Sequence, residues 1–64
     1  MDTIEKIKFL REEVFRDLSY WAQGFIEDIY TLCTENDPTP EEVEEFLTTR
    51  QKEKIYEIWE DMGL

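Results

Sequence analysis

The side chains that could do chemistry in this 64-residue chain are one thiol and seventeen carboxylates, with no imidazole beside either. Without histidine there is no ordinary general base at neutral pH, and the commonest transition-metal ligand is missing. Cys33 has no histidine to activate it, so the usual cysteine nucleophile arrangement is absent, and its apolar neighbours suit a core residue. Adjacent carboxylates such as Glu12/Glu13 and Glu44/Glu45 face different ways on a helix and make poor acid–base pairs. The two glycines, Gly24 and Gly63, form no phosphate-cradling loop. The acids around Asp37–Glu45 lack the central glycine and final glutamate of a calcium-binding loop. These residues predict no catalysis, no cofactor and no dedicated metal site.

What they do offer is a charged surface. The formal net charge is −10. Residues 1–33 hold seven acids and four bases, for −3, and residues 34–64 hold ten acids and three bases, for −7. Six carboxylates, Glu35, Asp37, Glu41, Glu42, Glu44 and Glu45, surround one helix start. They could complement the helix dipole and keep the chain soluble. They could equally match a basic surface on another protein, including one that normally holds nucleic acid. Phe9 and Tyr20 project away from the main apolar stripe, near Arg16 and Glu27. They are either tolerated surface groups or interface anchors, where aromatics and arginine are enriched. The candidate partner-binding residues are therefore Asp37, Glu41, Glu42, Glu44, Glu45, Phe9, Tyr20 and Arg16.

The positioning elements are helices, since no run shows the period-2 alternation of a strand. Ile7, Leu10, Val14, Leu18, Trp21, Phe25, Ile29 and Leu32 recur at spacings of three and four and share one face. Ile4, Phe15, Ala22, Ile26 and Cys33 widen that face to roughly 160° of arc. This predicts one long helix over about residues 3–33, capped by Asp2 with Glu5 in capping-box spacing. About 30 residues would span about 45 Å. Gly24 inside it suggests a kink or a close approach of another backbone. Val14, Leu18, Trp21, Phe25 and Ile29 form its core or oligomer stripe. Arg11 lies within the stripe, either snorkelling to water or paired with an acid of the second half or of a neighbouring subunit.

Thr34–Pro40 is polar, holds both prolines and divides the chain. Thr39-Pro40-Glu41-Glu42 then reads as an N-cap, a first-turn proline and first-turn acids. Val43, Phe46 and Leu47 point one way on a wheel, whereas Ile55, Ile58, Trp59 and Met62 centre about 120° away. Thr48 and Gln51 stand in capping-box spacing between them. Two helices, about 40–47 and about 50–62, are favoured over a single twisted one, with Gly63 as the stop. The expected fold is all-α: a single domain over residues 1–64, one long helix with two shorter ones packed back on it.

A chain this short buries only about 60% of the surface its unfolded form exposes. With one cysteine and no histidine, another chain is the expected staple, either as a homo-oligomer or as a bound partner. No signal-peptide pattern and no membrane-length apolar run is present, so a cytoplasmic setting is expected. The acidity argues against binding nucleic acid or anionic membranes directly. In size, acidity and lack of a catalytic set the chain resembles the small inhibitors that bacteriophages make against host proteins, including anti-defence proteins and DNA mimics. That resemblance lies in composition, carries no diagnostic motif and transfers no functional residue. It implies an inhibitor that occludes a basic, nucleic-acid-binding surface in the host cytoplasm. Thr39–Gly63 also resembles a helix-turn-helix in outline, but its negative charge opposes DNA reading. The alternative is a structural or assembly protein that oligomerises through the long stripe.

Overall fold

The computed structural model describes residues 2–64 and contains helices and no strand among them. The helices are α1 (Thr3–Glu12), α2 (Tyr20–Asn36), α3 (Pro40–Phe46) and α4 (Thr49–Asp61), with a short 3₁₀ turn at Phe15–Asp17 between the first two. The principal extents are 27 × 20 × 19 Å.

The single helix expected over residues 3–33 is therefore two helices and a corner. A helix of that length would be about 45 Å long and could not fit within the 27 Å long axis. It would also leave most of its stripe without a partner. The chain leaves α1 at Glu13, passes Val14 in a non-helical conformation (φ −123°, ψ 13°), and is extended at Leu18 and Ser19. The Ser19 hydroxyl then accepts from the Ala22 N–H at 3.2 Å and starts α2, as an N-cap serine does. Gln23 fastens the corner. Its side-chain amide donates to the carbonyls of Phe15 at 3.0 Å and Leu18 at 3.3 Å. The Phe15 carbonyl also accepts the Leu18 N–H at 3.2 Å within the 3₁₀ turn, so the amide adds a second donor there and supplies one to the Leu18 carbonyl at the non-helical junction.

Once folded back, α1 becomes the hub and packs against α2, α3 and α4. Every helix contributes to the fully buried centre: Ile7 and Leu10 from α1, Ile26 from α2, Val43 from α3 and Ile55 from α4. Ile4, Leu18, Ala22, Ile29, Cys33, Leu47 and Ile58 complete the core. No polar or charged residue is buried as a whole among the described residues; the one buried side-chain polar atom without a hydrogen-bond partner among them is the Arg11 Nε, a local desolvation cost at the edge of the core.

The second half follows local chemistry closely. Thr39 and Glu42 form a reciprocal capping box, with bonds of 3.2 and 2.9 Å. Thr48 and Gln51 form another, at 3.1 and 2.9 Å. Each satisfies two N–H groups at a helix start. The backbone is extended at Leu47 and Thr48, so two helices, not one, aim Val43, Leu47, Ile55 and Ile58 at the same core. Phe46 does not join them and is 43% exposed. At the far end of α4 the Gly63 and Leu64 N–H groups donate to the carbonyls of Glu60 and Trp59. With Gly63 at φ +75°, this is a Schellman stop.

α2 runs through Gly24 without a break, and no other backbone approaches it closely: a β-carbon there would meet nothing within 4 Å. Gly24→Ala is expected to stabilise the protein by about 1 kcal/mol, raising the thermal midpoint by about 4–8 °C. An unchanged or lower midpoint would show that the position is strained. Gln23→Glu keeps the size of the side chain but cannot donate, and is expected to lose about 1–2 kcal/mol in chemical denaturation. Native-like stability in that variant would remove the corner's amide from the account.

Candidate functional site

The acids predicted to bind a partner are brought together around α3, but they are not equivalent. Glu42 is occupied as the N3 member of the first capping box. Glu44 is held by Lys52 of α4, whose ammonium donates to the Glu44 carbonyl at 3.0 Å and lies 3.7 Å from its carboxylate. That ammonium also satisfies a carbonyl near the C-terminal end of α3, where cations are favoured. Glu41 and Glu45 are exposed and make no hydrogen bond or ion pair among the described residues. Asp37 caps the end of α2 in the left-handed region (φ 43°, ψ 53°), its N–H donating to the Cys33 carbonyl. Asn36, Pro38, Glu42, Glu45 and the exposed Phe46 line an open hollow of about 560 Å³. Phe46 thus supplies an apolar group within the acidic surface, a role its sequence pattern did not suggest.

Phe9, Tyr20 and Arg16 do not form one patch. Phe9 is half-buried and meets Trp59 of α4 edge-on, with ring centroids 5.6 Å apart and planes at 66°. It belongs to the α1–α4 seam and is not a free anchor. The reason is the hub position of α1, which is covered on several sides, whereas a long outer helix would be covered on one. Lys6 of α1 reinforces the same seam, its ammonium 5.6 Å from the Trp59 ring centre and 5.1 Å from that of Tyr56. Tyr20, in contrast, is 94% exposed, and Arg16 lies exposed in the corner. They stand on either side of Phe15, which lines the shallow hollow next to each.

The proposed stripe also divides. Leu18 and Ile29 are buried, Val14 and Phe25 are half-buried against the core, and Trp21 is 56% exposed. Trp21 is therefore a surface residue and not a core one. It stacks on Phe25, with ring planes 7° apart and centroids 5.6 Å apart. The ammonium of Lys54 in α4 lies over the Trp21 ring, 5.6 Å from its centre, and pairs with Glu57 at 3.3 Å. Between the start of α2 and the end of α4 lies a cleft of about 280 Å³. Leu18, Ala22, Ile58 and Met62 supply its apolar lining, with Trp21 beside them. Asp17, Glu57 and Asp61 bring carboxylates to it. Sequence reasoning missed this cleft, although two acids in the last turn of α4 were a visible oddity.

Two titratable side chains of α2 are shifted from their ordinary ranges. Burial pushes the Cys33 thiol above its ordinary range, opposed by the charge of Lys8. It is therefore held protonated and out of solvent, as befits a core residue. The Tyr30 hydroxyl donates to the Glu12 carboxylate at 2.9 Å, and that bond pushes the phenol above its ordinary range. It ties α2 to the end of α1. Among the described residues, no three His, Cys, Asp or Glu side chains are placed to hold a metal ion. No described helix is long and apolar enough to cross a membrane.

Compared with known proteins, the chain matches no family model, no curated protein and no solved structure.

Arg11 illustrates how the stripe's one cation is accommodated. Its guanidinium lies 4.5 Å from the Phe15 ring centre and 5.7 Å from that of Tyr30. It reaches Glu27 of α2 at 3.9 Å, so its acidic partner lies in the first half of the chain and not in the second. An ion pair this exposed contributes at most about 1 kcal/mol, with about 0.5–1 kcal/mol from ring contact. Arg11→Glu removes both and brings a carboxylate toward Glu27, with an expected loss of about 1–2 kcal/mol in chemical denaturation. Arg11→Met, which keeps the packing stem, is expected to lose less. Equal stability of the wild type and Arg11→Glu would rule out these contacts as contributors.

Proposed function

We propose that this chain is a small acidic protein-interaction module that inhibits or regulates a partner by covering a basic surface, of the kind that binds nucleic acid. The observation that carries this reading is the α3 face, where exposed Phe46 stands among carboxylates of which Glu41 and Glu45 have no internal partner. Apolar area gives affinity, while unpaired charge of one sign steers encounter and selects the partner. A net charge of −10 extends that steering beyond the contact itself. The proposed setting is the cytoplasm, with phage-made inhibitors of host proteins as the model for the mode of action. Tyr20 and Arg16, exposed at the corner, would supply secondary contacts.

A second reading, assembly with further copies of the chain, is favoured by one observation. Trp21 and Leu32 leave apolar area exposed along α2, 56% and 41% open respectively. The interface would then be this outer edge, since the continuous stripe first expected is divided by the corner.

The test uses the full chain as bait in cells of its native host, followed by affinity measurement with the captured protein. Binding is expected to weaken about tenfold or more between about 0.05 and 0.5 M salt, to weaken in Glu41→Gln/Glu45→Gln, and to compete with nucleic acid for the partner. Affinity that ignores salt and both substitutions would overturn the electrostatic reading. A concentration-dependent dimer in sedimentation, lost in Trp21→Ala, would favour assembly instead.

A further inference from the structure

We propose that the cleft between α2 and α4 receives a basic helix of a partner protein. Its apolar lining would take one large apolar side chain, and Asp17 and Asp61 would pair with lysines or arginines flanking it. The inference rests on the reading of the chain as an acidic interaction module, and gives that module a docking point distinct from the α3 face.

Three observations converge on the cleft. The first is shape: at about 280 Å³ it lies just below the roughly 300–1,000 Å³ of small-molecule sites, a size suited to one inserted side chain. The lining is mixed, with Leu18, Ala22, Ile58 and Met62 forming an apolar floor between carboxylates, and Met62 offers the adaptable surface that permissive binding sites favour. The second is the exposed indole. Trp21 is more than half open beside this lining, and tryptophan is the residue type most enriched in interface hot spots. The chain's own Lys54 ammonium lies 5.6 Å from the ring centre and pairs with Glu57, so the indole is open to a partner's apolar side chain and the charge left for a partner is that of Asp17 and Asp61.

The third is the sign and place of the charge. Glu60 and Asp61 lie in the last turn of α4, which contains no base. Acids there face the negative end of the helix dipole and oppose helix stability. Of the cleft's three carboxylates, Glu57 is paired with Lys54, while Asp17 and Asp61 have no ion-pair partner among the described residues. Glu60 is engaged by the Tyr56 hydroxyl, so basic residues delivered by a partner would relieve chiefly the placement of Asp61. The same acids disfavour a second copy of this chain in the cleft, because it would bring like charge. A helix with an apolar anchor and flanking bases at one-turn spacing meets all three conditions.

The experiment titrates the full chain into labelled model peptides and follows anisotropy. An amphipathic leucine/lysine helix is the probe, and a serine/lysine peptide of equal charge is the control. The leucine/lysine helix is expected to bind, and the serine/lysine peptide to bind at least about tenfold more weakly. Asp17→Asn/Asp61→Asn and, separately, Trp21→Ala are each expected to weaken the leucine/lysine complex about tenfold. Both alter exposed side chains, and circular dichroism melts check that the fold survives. Glu41→Gln/Glu45→Gln removes the same charge from the α3 face and is expected to change this affinity less than about threefold. Equal binding of both peptides overturns the cleft proposal, as does failure of the leucine/lysine helix to bind. If the α3 pair weakens binding and the cleft pair does not, the cleft falls while the acidic-module reading stands. Self-association abolished by Trp21→Ala would give the cleft to a second copy and overturn the proposal.

Discussion

The amide of Gln23 holds two carbonyls of the corner that turns α1 back against α2, and the rest of the fold depends on that reversal. The two segments carry apolar faces that continue the same helical phase. Left collinear, they would expose most of that area to water. Folded at Val14–Ser19, they cover each other and leave other sides of α1 free for α3 and α4. The corner is built from modest local terms: a serine cap, a 3₁₀ turn and two side-chain bonds of about 1 kcal/mol each. Their effect is large because they determine which apolar surfaces can meet.

Much of the second half was legible from sequence because its signals are local. Thr39-Pro40-Glu41-Glu42 and Thr48–Gln51 need only their own backbone to act as caps. The wheel phase also located the break, since Val43 and Ile55 cannot share a core on one straight helix. The corner escaped the same reasoning for a physical reason. Spacings of four from Val14 to Leu18 and three from Leu18 to Trp21 keep the apolar stripe in phase across a segment that is not helical. Periodicity reports which residues want burial, and it cannot distinguish a straight rod from one folded without a phase shift.

The candidate surfaces were legible in composition but not in detail. The acidity around α3 was plain, yet the separation of Glu42 and Glu44, engaged internally, from Glu41 and Glu45 requires the positions of Thr39 and Lys52. Phe9 and Trp21 exchanged roles for a related reason. Exposure is set by which neighbours a helix acquires, and a central helix buries faces that an outer helix leaves open. The chain's excess charge has a structural counterpart: its few bases are used repeatedly inside the molecule. Lys6, Arg11, Lys52 and Lys54 each bridge two helices, through a ring, a carboxylate or a carbonyl. Little positive charge remains to neutralise the outward-facing acids.

The innermost side chains come from all four helices, and this has a consequence for how the molecule answers force or ligand. No helix can depart without opening the space around Ile7, Leu10, Ile26, Val43 and Ile55. Opening is therefore shared, in the manner of a small cooperative unit. A contact that grips only α3, or only the end of α4, in its native place raises the free energy of losing the other three as well. Separate faces of this chain are coupled through its centre even where no side chain connects them.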